Sequence, residues 1–182
     1  MGEILGTNRG FELNNLTQWT ALLGGTWSVI TTSPYAGTYC ANIASGDVSS
    51  AAQWISILRT DKAACTPGTK LYASAYHNHI SGTDSSGVFS ARDGTLAVNF
   101  YDSDVNYISG TLIKAWTISL SGTVSGWTKI GKIAVAPANT ALVAIQLMYN
   151  ILMTSGTCNL VERWDAFSIN VPYTRRQVIN WL

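Results

Sequence analysis

Apolar and β-branched residues alternate with small polar ones along almost the whole chain. Val, Ile, Thr, Tyr and Trp gather in runs of about five to nine residues, separated by Gly, Ser, Asp, Asn and Pro. The pattern predicts strands over 26–32, 39–44, 52–58, 71–76, 87–91, 96–101, 127–135, 142–149 and 159–169. Within Leu96–Tyr101, a period of two puts Leu96, Val98 and Phe100 on one face and Asn99 and Tyr101 on the other. Within Leu142–Leu147 it groups Val143, Ile145 and Leu147 opposite Gln146. One buried and one wet face per strand is the mark of antiparallel sheet over a core. About nine to eleven such strands predict an all-β fold, a two-sheet antiparallel β-sandwich of jelly-roll type.

The connections are read from their turn residues. Arg92-Asp93-Gly94-Thr95 carries an Asp-Gly pair and predicts a hairpin. Ser-Gly-Thr recurs at Ser81, Ser109, Ser121 and Ser155 with irregular spacing, which reads as loops rather than a repeat. The only helical pattern is weak, over 13–23, where Leu13, Leu16, Leu22 and Leu23 could cover a loop. The sandwich is expected to occupy 1–169, and residues 170–182 form a C-terminal arm beginning where Pro172 stops the last strand. With Tyr173, Val178, Ile179 and Trp181, the arm is too apolar to sit in water. It either folds back on its own sandwich or docks on a neighbouring subunit, with Arg175 and Arg176 pairing to a partner.

Composition narrows the partners. Charged residues make up only 12% of 182 residues, about half the usual fraction, and the net charge is +1. With no Lys/Arg run to neutralise phosphates, nucleic acid is excluded as a partner. A surface of Ser, Thr, Asn, Gln and Gly suits sugar hydroxyls or other protein copies. No run of 18 apolar residues exists, so no membrane span is expected. The N-terminus has no signal-peptide pattern, so synthesis in a cytoplasm is expected. Cys40, Cys65 and Cys158 are far apart, which leaves one disulfide plus a thiol, or three buried thiols.

Several phrases in order carry a family resemblance: Gly10-Phe11-Glu12, Leu16-Thr17-Gln18-Trp19, Gly25-Thr26-Trp27, Pro34-Tyr35-Ala36-Gly37-Thr38-Tyr39, Pro67-Gly68-Thr69-Lys70-Leu71-Tyr72, Gly126-Trp127-Thr128 and Glu162-Arg163-Trp164-Asp165-Ala166-Phe167. The chain resembles the jelly-roll, galactose-binding-like carbohydrate-binding modules that accompany xylanases, over nearly all residues up to Ile169. The same sandwich occurs as an accessory domain of phage virion proteins. The resemblance implies a structural calcium ion held by Glu12 and Asp165, with backbone carbonyls near Gly37–Tyr39. Where the family carries paired aspartates this chain has Trp164-Asp165, so one carboxylate is missing. It also implies sugar binding on a sheet face, by stacked rings and hydrogen-bonding amides. The matching outward residues are Tyr76, Asn99, Tyr101 and Gln146, near His77 and Asn78; an ordinary wet sheet face is the alternative for this set. Trp19, Trp27 and Trp127 read as core.

Catalytic chemistry is not in view. His77-Asn78-His79 reads as a polar strand end, since no third metal ligand accompanies it. Asp102-Ser103-Asp104 starts like a calcium loop but lacks the Gly and Glu that follow in one. No acid pair for glycoside hydrolysis can be nominated, and no nucleophile elbow, phosphate loop or dinucleotide fingerprint occurs. Three functions remain, in this order: a non-catalytic virion module (capsid decoration, head fibre or tail component), a glycan-binding module of a secreted hydrolase, and a small glycosidase or lyase. Expected partners are other virion subunits, glycans, and further copies of the chain as a homo-oligomer.

Overall fold

The computed structural model describes residues 2–5, 8–23, 25–44, 48–49, 52–84, 89–117, 126–153 and 157–171. Of the predicted arm, Asn170 and Val171 instead extend the last strand, paired with Glu3 and Gly2, while residues 172–182, with Tyr173, Arg175, Arg176 and Trp181, lie outside the described residues. The described chain forms thirteen strands: β1 (Gly2–Glu3), β2 (Trp19–Leu23), β3 (Thr26–Ile30), β4 (Cys40–Ala44), β5 (Val48–Ser49), β6 (Ala52–Arg59), β7 (Ala63–Ala64), β8 (Lys70–Asp84), β9 (Phe89–Tyr101), β10 (Tyr107–Thr117), β11 (Thr128–Val135), β12 (Leu142–Met153) and β13 (Thr157–Val171). They build two antiparallel sheets. Sheet A runs β11-β8-β13-β4-β3, with β1 and β5 on β13. Sheet B runs β10-β9-β12-β6-β2, with β7 on β12. This is the expected jelly-roll sandwich.

The core lies between the sheets and is built from one residue in two along each strand. Leu71, Ala73 and Ala75 of β8 face Leu96, Val98 and Phe100 of β9 and Val143, Ile145 and Leu147 of β12. Aromatic rings close one end: Phe11, Trp19 and Phe167 meet at centroid distances of 5.1–5.8 Å. Phe167 stacks on Trp164 at 6.0 Å, and the Trp164 indole N–H donates to the Tyr149 hydroxyl. Trp19 and Trp27 are thus core, as expected; Trp127 is half-exposed on an outer face.

Four local expectations fail. The Asp93-Gly94 hairpin does not form, because β9 is one strand through that point, flanked on both sides. Asp93 lies opposite Thr117 and Asn150, and Gly94 opposite Trp116 and Tyr149. Two neighbouring strands supply more pairing than a turn there could. The helix over 13–23 is absent: turns lead to Gln18, and Trp19–Leu23 pairs with β6. Ser81 and Ser109 lie inside β8 and β10 instead of in loops; the Ser-Gly-Thr phrases at Ser121 and Ser155 begin outside the described residues. His77 and His79 do not form a polar strand end. Both are buried on the core face of β8, where His79 Nδ1 pairs with the Glu162 carboxylate. Burial, and secondarily the nearby His79, lowers the His77 pKa to about 4. Cys40 and Cys65 are buried free thiols, as one of the two readings expects.

Candidate functional site

The outer face of sheet B carries three of the four predicted glycan residues. Asn99 and Tyr101 lie on β9, and Gln146 on β12, two residues along from Ala144, the register partner of Asn99. Asn99 Nδ2 donates to Gln146 Oε1 at 2.8 Å, so the two amides form one unit. The face is not wet in the way alternation predicts. Asn99 is 6% and Tyr101 8% exposed, and the neighbouring Ala97 and Ala144 are fully buried. Small side chains make a recessed floor, and larger ones rise beside it. Tyr107, 62% exposed, stands edge-on to Tyr101 at 6.0 Å. Lys62 Nζ lies 5.0 Å from the Tyr101 ring centroid. Burial raises the Tyr101 hydroxyl pKa, and a hydrogen bond with Asn99 opposes it. Gly110 on β10 keeps this trough open. A Cβ there would stand 2.8 Å from Asn99 Oδ1 and 3.1 Å from the Tyr107 hydroxyl. Sequence reasoning misses Tyr107 and Gly110, because β10 carries no clear alternation.

The structure separates Tyr76 from this set. It lies on β8, in the other sheet, because a shared polar alternation cannot say which sheet a strand joins. Residues 31–39 cross over the outer face of sheet A as a strap. The strap is fixed by two carboxylates. Asp165 Oδ2 accepts from the backbone N–H groups of Tyr35 (2.9 Å) and Ala36 (3.0 Å); the Glu12 carboxylate accepts from Thr38 (3.0 Å) and Tyr39 (3.3 Å). A β-bulge places Asp165. Its partner is Tyr76, the next pair is Ser168 with Ser74, and Ala166 between them has φ +49°. Gly37, with φ +70°, is required twice over, since a Cβ would also sit 2.3 Å from Glu12 Oε1. At the strap's tip the Tyr35 ring stacks on Tyr76, with centroids 3.5 Å apart and planes at 15°.

Glu12 and Asp165 are therefore brought together, as the resemblance implies, although Glu12 sits in a turn and not on a strand. Both approach Gly10: a Cβ on it would lie 3.3 Å from Asp165 Oδ1 and 3.9 Å from Glu12 Oε1. They line a cleft of about 550 Å³ with Arg9, Gly37 and Phe167. Burial raises the Asp165 pKa and the Glu12 charge adds to it, while the strap N–H groups pull it down. Two hard oxygen donors of like charge approaching one point, Asp165 buried and Glu12 exposed, suit a cation such as Ca²⁺. Its remaining ligands would have to be backbone or water oxygens. Among the described residues no group of three or more His, Cys, Asp or Glu side chains is arranged for a metal. Asp102 serves only its own turn, accepting from the N–H groups of Asp104 (2.9 Å) and Asn106 (2.8 Å).

No protein-family model and no curated protein matches the sequence. Solved structures do match the fold. The CBM22-1 xylan-binding domain of Paenibacillus barcinonensis Xyn10C superposes with TM-score 0.57 at 18% identity, over 91% of this chain and 94% of that one. The CBM22-1–GH10 modules of Clostridium thermocellum xylanase 10B, complexed with xylohexaose, give 0.57 at 16% identity over 94% of this chain. The enzymatically active domain of bacteriophage CBA120 tailspike protein 4 gives 0.58 at 11% identity over 93%. This chain spans 29% of the xylanase chain and 21% of the tailspike chain. At these identities the likeness is one of fold: a carbohydrate-binding-module-like β-sandwich.

Proposed function

We propose that this domain is a non-catalytic glycan-binding module, with the trough on the outer face of sheet B as its binding surface. The observation that carries this is the Asn99–Gln146 amide pair beside the edge-on rings of Tyr101 and the exposed Tyr107, on one outer sheet face. Amides bond paired sugar hydroxyls in directions that the ring walls leave open, while the rings meet the apolar C–H faces. The fold supports it, being shared with modules described as xylan-binding. A glycan array tests the reading. Hits should be present in the wild type, and the share of binding that the trough supplies should be lost in Tyr101→Ala; a silent wild-type array removes the reading.

The setting we favour is a virion, assembled in a host cytoplasm, with the module serving as capsid decoration, head fibre or tail component. The low charge, the apolar arm at 170–182 and the similarity to a tailspike domain support this over the alternative, a module of a secreted glycan hydrolase. The protein should co-purify with particles, and deletion of Tyr173–Leu182 should release it; retention of the truncated form counts against the arm. A structural calcium at Glu12 and Asp165 completes the reading. Chelator should lower the melting temperature, since an ion that binds only the folded state stabilises it by mass action. An unchanged melting temperature removes the ion.

A further inference from the structure

We propose that Tyr35 and Trp127 form a second saccharide-stacking site, on the outer face of sheet A, separate from the trough on sheet B. Tyr35 is 42% exposed although it stacks closely on Tyr76, so one ring face is covered and the other looks outward. Trp127 stands 6.0 Å away with its plane at 66°, making a corner of two aromatic walls. Its indole N–H donates to the Ser33 carbonyl at 3.2 Å, which fixes the ring to the strap. Ser33 itself has φ +51°, an unfavourable setting for a serine that shapes the strap's approach.

Holding the strap does not require these rings. Asp165 and Glu12 already bind four of its backbone N–H groups. Burial does not explain Tyr35 either, since nearly half of it stays in water. What the contacts achieve is rigidity: an outward ring, propped from behind by Tyr76 and bracketed at its side by Trp127. Such preorganisation lowers the ordering cost of binding a flat apolar ligand face. A pyranose C–H face fits one wall while its hydroxyl rim meets solvent and the strap carbonyls. The corner is far smaller than the roughly 800 Å² per partner of a stable protein interface. Along β8 the strip continues: Lys129 Nζ lies 5.6 Å from the Tyr76 ring and 6.0 Å from the Tyr72 ring. Tyr72 and Tyr76 are separated by about 13 Å at the strand rise, room for further sugars of an oligosaccharide.

The test titrates xylohexaose, cellohexaose and β-1,4-galactotriose into the full chain, following tryptophan fluorescence and calorimetry. Five proteins are compared: wild type, Tyr35→Ala, Tyr101→Ala, and Tyr101→Ala combined with either Tyr35→Ala or Tyr35→Phe. The expected result is that Tyr101→Ala retains one site, which adding Tyr35→Ala weakens about tenfold or more. Tyr35→Phe should restore it, since stacking needs the ring and not the hydroxyl, and melting temperatures should show that Tyr35→Ala stays folded. Loss of all binding in Tyr101→Ala alone overturns the second site and leaves the sheet B reading standing. Unchanged binding in Tyr101→Ala, with loss in Tyr35→Ala, does the reverse. Absence of binding to all three sugars by the wild type overturns the second site.

Discussion

The two outer faces of the sandwich solve the same problem in opposite ways. A sheet with both sides half-apolar must cover or furnish the side away from the core. Sheet B furnishes it with side chains: small residues make a floor, and Asn99, Gln146, Tyr101 and Tyr107 stand on it. Sheet A covers it with backbone: a strap crosses the strands and is held by two carboxylates, the buried Asp165 and the exposed Glu12. The difference teaches where each face is vulnerable. A furnished face loses function one side chain at a time and keeps its stability. A covered face depends on a few anchors, above all Asp165, 1% exposed, whose loss leaves several N–H groups without their acceptor at once.

The largest effect belongs to the interior that both faces share. The pKa of His77 falls from 6.5 to about 4 through burial, then through His79. In the folded state it therefore binds fewer protons than in the unfolded state between those values. Stability from this residue is complete above pH 6.5 and is lost as pH falls towards 4, on the order of 3 kcal/mol in all. The difference in unfolding free energy between wild type and His77→Phe should rise with pH across that window. A flat difference would show that His77 is solvated, and that the shared core is looser than drawn.

Next is Asp165→Ala, expected to cost about 2–3 kcal/mol in urea denaturation, because a charged acceptor of three backbone N–H groups is removed. The strap should loosen with it, unstacking Tyr35 while leaving the Asn99–Gln146 face unaltered. Simultaneous loss of both faces would break the comparison. The smallest effect is Gly110→Ala. Its new methyl must push Asn99 Oδ1 or the Tyr107 hydroxyl aside, so stability should change by less than about 1 kcal/mol. Glycan binding on sheet B should fall, with Tyr35-dependent binding intact. Equal loss at both faces would mean that they are coupled.

Much of this was legible in the chain. Strand runs located eight of the ten strands of five or more residues, and the ordered motif series gave the jelly roll and the meeting of Glu12 with Asp165. The strands missed were Trp19–Leu23, which imitates a helical stripe, and Tyr107–Thr117, whose Ser-Gly-Thr looks like a loop. Asp93-Gly94 misled for the complementary reason: local turn preference is worth little against pairing with two neighbours.

By itself, then, the sequence determined the fold class and the core-facing residues, because period-two burial and turn chemistry are local properties written along the chain, while the two carboxylates came only from the family resemblance. Only the tertiary structure decided which outward residues share a face. Alternation says that Tyr76 and Asn99 both point away from the core, but not that they do so on opposite sheets. It also could not say that residues 31–39 lie across β8 and β13, since that crossing is fixed by contacts more than a hundred residues apart in sequence, from Asp165 to Tyr35 and Ala36.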